Sequence, residues 1–101
     1  MGFISSMILN LLSNHNIVQF EHEINNLNCN LVRMQGFTTE MHSKYYLLTG
    51  FRCDIRVYEE SSNSIPYEEI LQLIESLKDK GFRVRVKHNK SNPKLSIRLF
   101  Y

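Results

Sequence analysis

IPYEEILQLIESLKDK, GFRVRVKH, NKSNP and KLSIRLFY, consecutive over residues 65–101, decide how this chain is read, because the hydrophobic period changes inside them. Tyr67, Ile70, Leu71, Ile74 and Leu77 recur at 3.6-residue spacing and form one apolar helical stripe. Ser64 is the expected N-cap. Pro66 suits the first turn, where its missing N–H removes no intrahelical bond. Glu68 and Glu69 sit at the positive end of the helix dipole, and Lys78 and Lys80 at the negative end. Gly81 is the expected residue just past the helix.

Beyond Gly81 the period is 2. Phe82, Val84 and Val86 alternate with Arg83, Arg85 and Lys87; Leu95, Ile97, Leu99 and Tyr101 alternate with Ser96, Arg98 and Phe100. Two half-buried strands are expected, joined by a loop of Asn, Ser and Pro. For the apolar faces to coincide, even positions on the first strand must pair with odd positions on the second. Pairing Asn89 with Lys94 meets this condition and sets Arg85 opposite Arg98. Like charges in that position are unfavourable. Either twist separates them, or an anion or acidic group lies between.

The length of 101 residues suits a single α+β domain, and 43% hydrophobic with 22% charged residues excludes a disordered chain. The net charge is only +2, but residues 81–101 carry six cations and no acid. Such a block is the footprint an anionic partner would use. Ten Asn with no Ala and no Trp suit an AT-rich coding sequence, such as that of a phage or mobile element.

Working back towards the N-terminus, Phe3, Ile4, Met7, Ile8, Leu11 and Leu12 describe a short, uncharged amphipathic helix. It lacks the basic start of a signal peptide and the length of a membrane span, so no membrane association and a cytoplasmic location are expected. It would dock on the core or form a homodimer contact. Residues 17–24 alternate, Asn25-Asn26 suits a tight turn, and residues 27–34 return, which predicts a first hairpin. Residues 35–42 read as a loop. Residues 44–49 and 51–58 read as a second hairpin turning at Thr49-Gly50, with Phe51, Cys53, Ile55 and Val57 inward and Arg52, Asp54, Arg56 and Tyr58 outward. Glu59 to Ser64 is a polar linker. The expected fold is an antiparallel sheet of about five to six strands with both helices on one face.

In that fold the open face gathers Arg52, Arg56, Arg83, Arg85, Lys87 and Arg98, with Tyr58 and Phe100 among them. Cations interleaved with aromatics suit nucleic-acid phosphates and bases. The first expectation is therefore a non-catalytic binding protein for nucleic acid or another polyanion. The alternative is a protein-interaction module or inhibitor docking on a host protein. A third reading is a small metal-free ribonuclease, with His88 as acid or base near Arg85, Arg98 and Tyr101. No cofactor fingerprint is present. His22, Cys29, His42 and Cys53 are too widely spaced for a structural zinc site, and both cysteines read as buried, reduced thiols.

Overall fold

The computed structural model describes residues 3–46, 50–60 and 64–101, with side chains from residue 17 onward. Helix α1 spans Phe3–Arg33, followed by β1 (Phe37–Tyr46), β2 (Gly50–Glu59), α2 (Tyr67–Lys78), β3 (Arg83–His88) and β4 (Leu95–Phe100). The fold is α+β. The described strands form one four-stranded antiparallel sheet in the order β1-β2-β4-β3. Strands β2 and β3 each pair antiparallel with β4, so they run parallel to one another, and the connection through α2 crosses from one side of β4 to the other.

The first hairpin expected over residues 17–34 is instead the second half of α1. Two periods compete there. Alternation picks out Val18, Phe20, His22 and Ile24, but Val18 is 66% exposed and His22 lies in solvent. Helical spacing picks out Ile17, Phe20, Ile24, Leu27, Leu31 and Met34, all buried or packed against the core. Helical spacing buries six apolar side chains on one side where alternation would waste half of them, so the helix wins. Asn25 and Asn26 fall on its exposed side rather than in a turn. The sheet accordingly has four strands, not five or six. The helix foreseen over Phe3 to Leu12 is the start of α1; its side chains lie outside the described residues, as do Thr49 and residues 61–63 of the 59–64 linker.

Residues 37–42, expected as loop, belong to β1, whose register against β2 is unbroken from Phe37↔Glu59 to Tyr46↔Gly50. The register of the last hairpin and most of α2 are as expected, but Leu71 of the expected apolar stripe stays outside the core and Leu73 packs against it instead. Helix α2 buries Ile70, Ile74 and Leu77. Its N-cap is Pro66, not Ser64, with no side-chain bond; the Pro66 carbonyl accepts from Ile70 N–H at 3.1 Å. At its other end Gly81 (φ +96°) donates to Lys78 and Phe82 N–H to Leu77, at 3.0 and 3.1 Å. These two bonds form a Schellman closure, with Phe82 and Leu77 in the accompanying apolar contact. The final hairpin has the predicted register: Asn89 N–H donates to the Lys94 carbonyl at 2.9 Å, and Arg85 pairs with Arg98.

The core lies between the helices and one sheet face. Phe51, Cys53, Ile55 and Val57 of β2 and Leu95, Ile97 and Leu99 of β4 are buried under Phe20, Ile24, Leu27 and Leu31 of α1 and the apolar stripe of α2. An aromatic cluster closes one end, with Phe20 stacked on Phe51 and Phe82 at 4.7 and 5.7 Å and Tyr101 against Phe82 at 4.7 Å. There β2 and the chain after β4 exchange a bond pair: Phe51 N–H to Tyr101 O at 3.1 Å, and Tyr101 N–H to Phe51 O at 3.0 Å. Gly50 (φ +101°) makes this closure possible, since a Cβ there would lie 2.2 Å from the Tyr101 oxygen. At the other end, the Asn92 side chain bonds the Glu59 main chain, accepting from N–H at 2.9 Å and donating to C=O at 3.2 Å. The β3–β4 loop is thereby fastened to the end of β2.

Candidate functional site

Because strand side chains alternate between faces, everything not sent to the core emerges on the open face. The register arranges these residues in rows across β1, β2, β4 and β3. One row is Lys44, Arg52, Phe100 and Arg83; the next is His42, Asp54, Arg98 and Arg85; the third is Glu40, Arg56, Ser96 and Lys87. These rows hold seven cations against two carboxylates. All six cations named from the sequence stand on this face, as do Tyr58 and Phe100. Lys44, Glu40 and His42 join them because residues 37–46 are a strand, which sequence reasoning did not see as far back as Glu40.

The cations are not equivalent. Asp54 takes two of them. Its Oδ2 accepts from Arg52 Nε at 3.2 Å and Nη2 at 2.9 Å, and its Oδ1 accepts from Arg98 Nε at 2.9 Å. Partial burial pushes the Asp54 carboxyl up, but the bonds and charges of the two guanidiniums outweigh it and hold it below the usual carboxylate range. Arg56 reaches Glu40 only loosely, at 3.8 Å. Among the described residues, no carboxylate lies within ion-pair distance of Lys44, Arg83, Arg85 or Lys87.

The direct opposition of Arg85 and Arg98 is relieved on both sides. Asp54 holds Arg98, while Arg85 leans the other way, its guanidinium carbon 5.6 Å from the Phe100 ring centroid. Arg83 approaches the same ring at 5.7 Å. Phe100 is thus shared by two guanidiniums, each in the range of a cation–π contact. Between the rows the twisted sheet forms a concavity of about 610 Å³. Its rim is Asp54, Arg56, Arg85, Lys87, Ser96 and Arg98, and Ile55, Val86 and Ile97 complete the lining. The Ser96 hydroxyl accepts from Asn89 Nδ2 at 3.0 Å and keeps its own proton for another acceptor.

His88 stands elsewhere. It pairs with Leu95, and its ring lies against Tyr67 of α2 at 5.5 Å, on the helix-covered side of the sheet. Arg85 and Arg98 point to the other face, and Tyr101 packs at the far end of the strands. The acid–base set expected around His88 is therefore not assembled. Cys53 is fully buried and burial pushes its thiol up, whereas Cys29, expected to be buried, is exposed on α1. His22 and Cys29 lie on α1, His42 on the open face and Cys53 on the opposite, core-facing side of the sheet. No helix among the described residues is long and apolar enough to cross a membrane.

No protein-family model, curated protein or solved structure matches this chain.

Proposed function

We propose that the open sheet face binds a polyanion, with single-stranded nucleic acid the ligand it suits best. The observation that carries this is the row of cations on β3, Arg83, Arg85 and Lys87, which no carboxylate among the described residues pairs, beside a concavity whose carboxylate, Asp54, already accepts from Arg52 and Arg98. An anion entering there meets positive charge without displacing an internal acid. In this reading Arg85, Lys87 and Arg56 contact phosphates. Arg83 holds one side of Phe100, while Tyr58, at the other end of β2 from the Arg52 that faces Phe100, offers a separate stacking ring. Arg52 and Arg98 position Asp54 and add charge beside it. The face offers no helix to a groove, so recognition follows the backbone and base stacking rather than base edges.

The test is fluorescence anisotropy with labelled single-stranded RNA, single-stranded DNA and duplex DNA over a salt series, for the wild type and for Arg83→Glu/Arg85→Glu. We expect binding of single strands in at least the non-specific range, Kd of about 10⁻⁴–10⁻⁶ M. The double variant should bind at least about tenfold more weakly, and losing the Arg85 phosphate contact flattens the logarithmic salt slope by about 0.7. No binding at low salt, or binding that the double variant retains, rules out this face for nucleic acid and leaves an acidic protein surface as its partner.

A further inference from the structure

The two edges of the sheet are built differently. Strand β3 carries Arg83, Arg85 and Lys87 at alternate positions, so antiparallel pairing with its own copy would set cation against cation. Edges guarded this way resist addition of another strand. Strand β1 has no such guard. It runs ten residues without proline or bulge, and among the described residues no backbone group outside β2 pairs with it. Its only fully charged residues are Glu40 and Lys44, both on the open face and symmetric about His42.

We propose that the chain pairs with a second copy of itself along β1, antiparallel and centred on His42. That register sets Glu40 opposite Lys44 of the second copy, and Lys44 opposite its Glu40. It also places the exposed Tyr45 and Tyr46, 40% and 41% accessible, opposite Thr39 and Thr38 of the second copy. Aromatic with β-branched residues, and opposite charges, are the cross-strand pairs that stabilise antiparallel sheets. Neighbouring registers do worse. Centring on Met41 sets Glu40 against His42 and leaves Lys44 against Thr38, and centring on Ser43 sets Lys44 against His42. Centring on Glu40 or Lys44 sets like charges together. Side chains directly opposite in an antiparallel pair share a face, so both copies present their open faces on the same side of one eight-stranded sheet.

Sedimentation equilibrium of the wild-type chain and two charge reversals tests this. The wild type forms a species of twice 12.0 kDa. Glu40→Lys and Lys44→Glu each place like charges at both symmetric positions, and each loses the dimer while keeping its circular dichroism spectrum. Mixing the two variants restores a dimer, because each then faces its opposite, and the double reversal Glu40→Lys/Lys44→Glu restores it alone. A second measurement fixes the register: in a Cys29→Ser background, His42→Cys cross-links to its copy on mild oxidation and Thr38→Cys does not. A wild-type monomer at every concentration up to the millimolar range overturns the proposal. So does a dimer that survives both single reversals, or a mixture of the two that fails to associate.

Discussion

Replacing Gly50 by alanine should damage this fold far more than the same change at Gly81, although both residues have nearly the same backbone angle. Their φ values are +101° and +96°. In that region an L-residue pays roughly 1–2 kcal/mol of steric strain. At Gly81 that is the whole effect, since the nearest atom to a new Cβ is the Tyr101 ring at 3.8 Å, an ordinary contact. At Gly50 the new Cβ would lie 2.2 Å from the Tyr101 main-chain oxygen, so the chain must move away. That movement breaks the Phe51–Tyr101 bond pair, about 1 kcal/mol for each bond. The expected losses are about 3–4 kcal/mol for Gly50→Ala and about 1–2 kcal/mol for Gly81→Ala. For a chain of this size these correspond to drops in Tm of roughly 15–25 °C and 5–10 °C. Thermal melts followed by far-ultraviolet circular dichroism would measure both. Equal losses at the two sites would refute the close approach at Gly50.

Three further outcomes are expected. Phe20→Ala should destabilise by about 3–5 kcal/mol in denaturant titrations, because its ring contacts Phe51, Phe82 and Tyr101 and leaves a cavity under the sheet; a surface-like value would place residue 20 outside the core. Asp54 has a lowered pKa, so its stabilising effect is present above the ordinary carboxylate range and is lost as pH falls through the folded-state value. Asp54→Asn should therefore reduce stability at neutral pH, lessen the decline on acidification and strengthen anion binding, all readable from pH-dependent melts and the anisotropy assay. A thiol reagent under native conditions should modify one cysteine, Cys29, and reach Cys53 only at the rate of unfolding, as mass spectrometry of the labelled peptides would show.

The legible parts of this chain were those where one period stood alone. In α2 the apolar residues fit only a helix, and in β3 and β4 they fit only strands, so parity together with a turn closed by Asn89 and Lys94 was enough to pair Arg85 with Arg98. Residues 17–34 carried both signals at once, and two adjacent asparagines resembled a turn. Deciding between them required knowing that a sheet lay beneath Phe20, Ile24, Leu27 and Leu31 to receive them. Strand β1 was faint because its inward positions are Phe37, Thr39, Met41, Ser43 and Tyr45, a weakly apolar set allowed by its place at the sheet edge. The gathering of cations on one face was visible from alternation. Their division into those held by Asp54, those leaning on Phe100 and those left unpaired depends on strand order, which brings β4 between β2 and β3. No local pattern encodes that neighbour.

The position of β4 also bears on how the protein is made. The strand holding the two halves of the sheet together is translated after everything it joins. Between the emergence of Glu59 and that of Leu95 a ribosome needs roughly 2–7 s. Throughout that interval β1 and β2 exist as a hairpin whose apolar side is covered at most by α1 and whose β2 edge, Arg52 to Val57, has nothing to pair with. α2 and β3 arrive before the partner that would anchor them. The nascent chain thus carries an open strand edge for seconds, a state that invites chaperone binding or mispairing, until β4 closes the sheet from the middle.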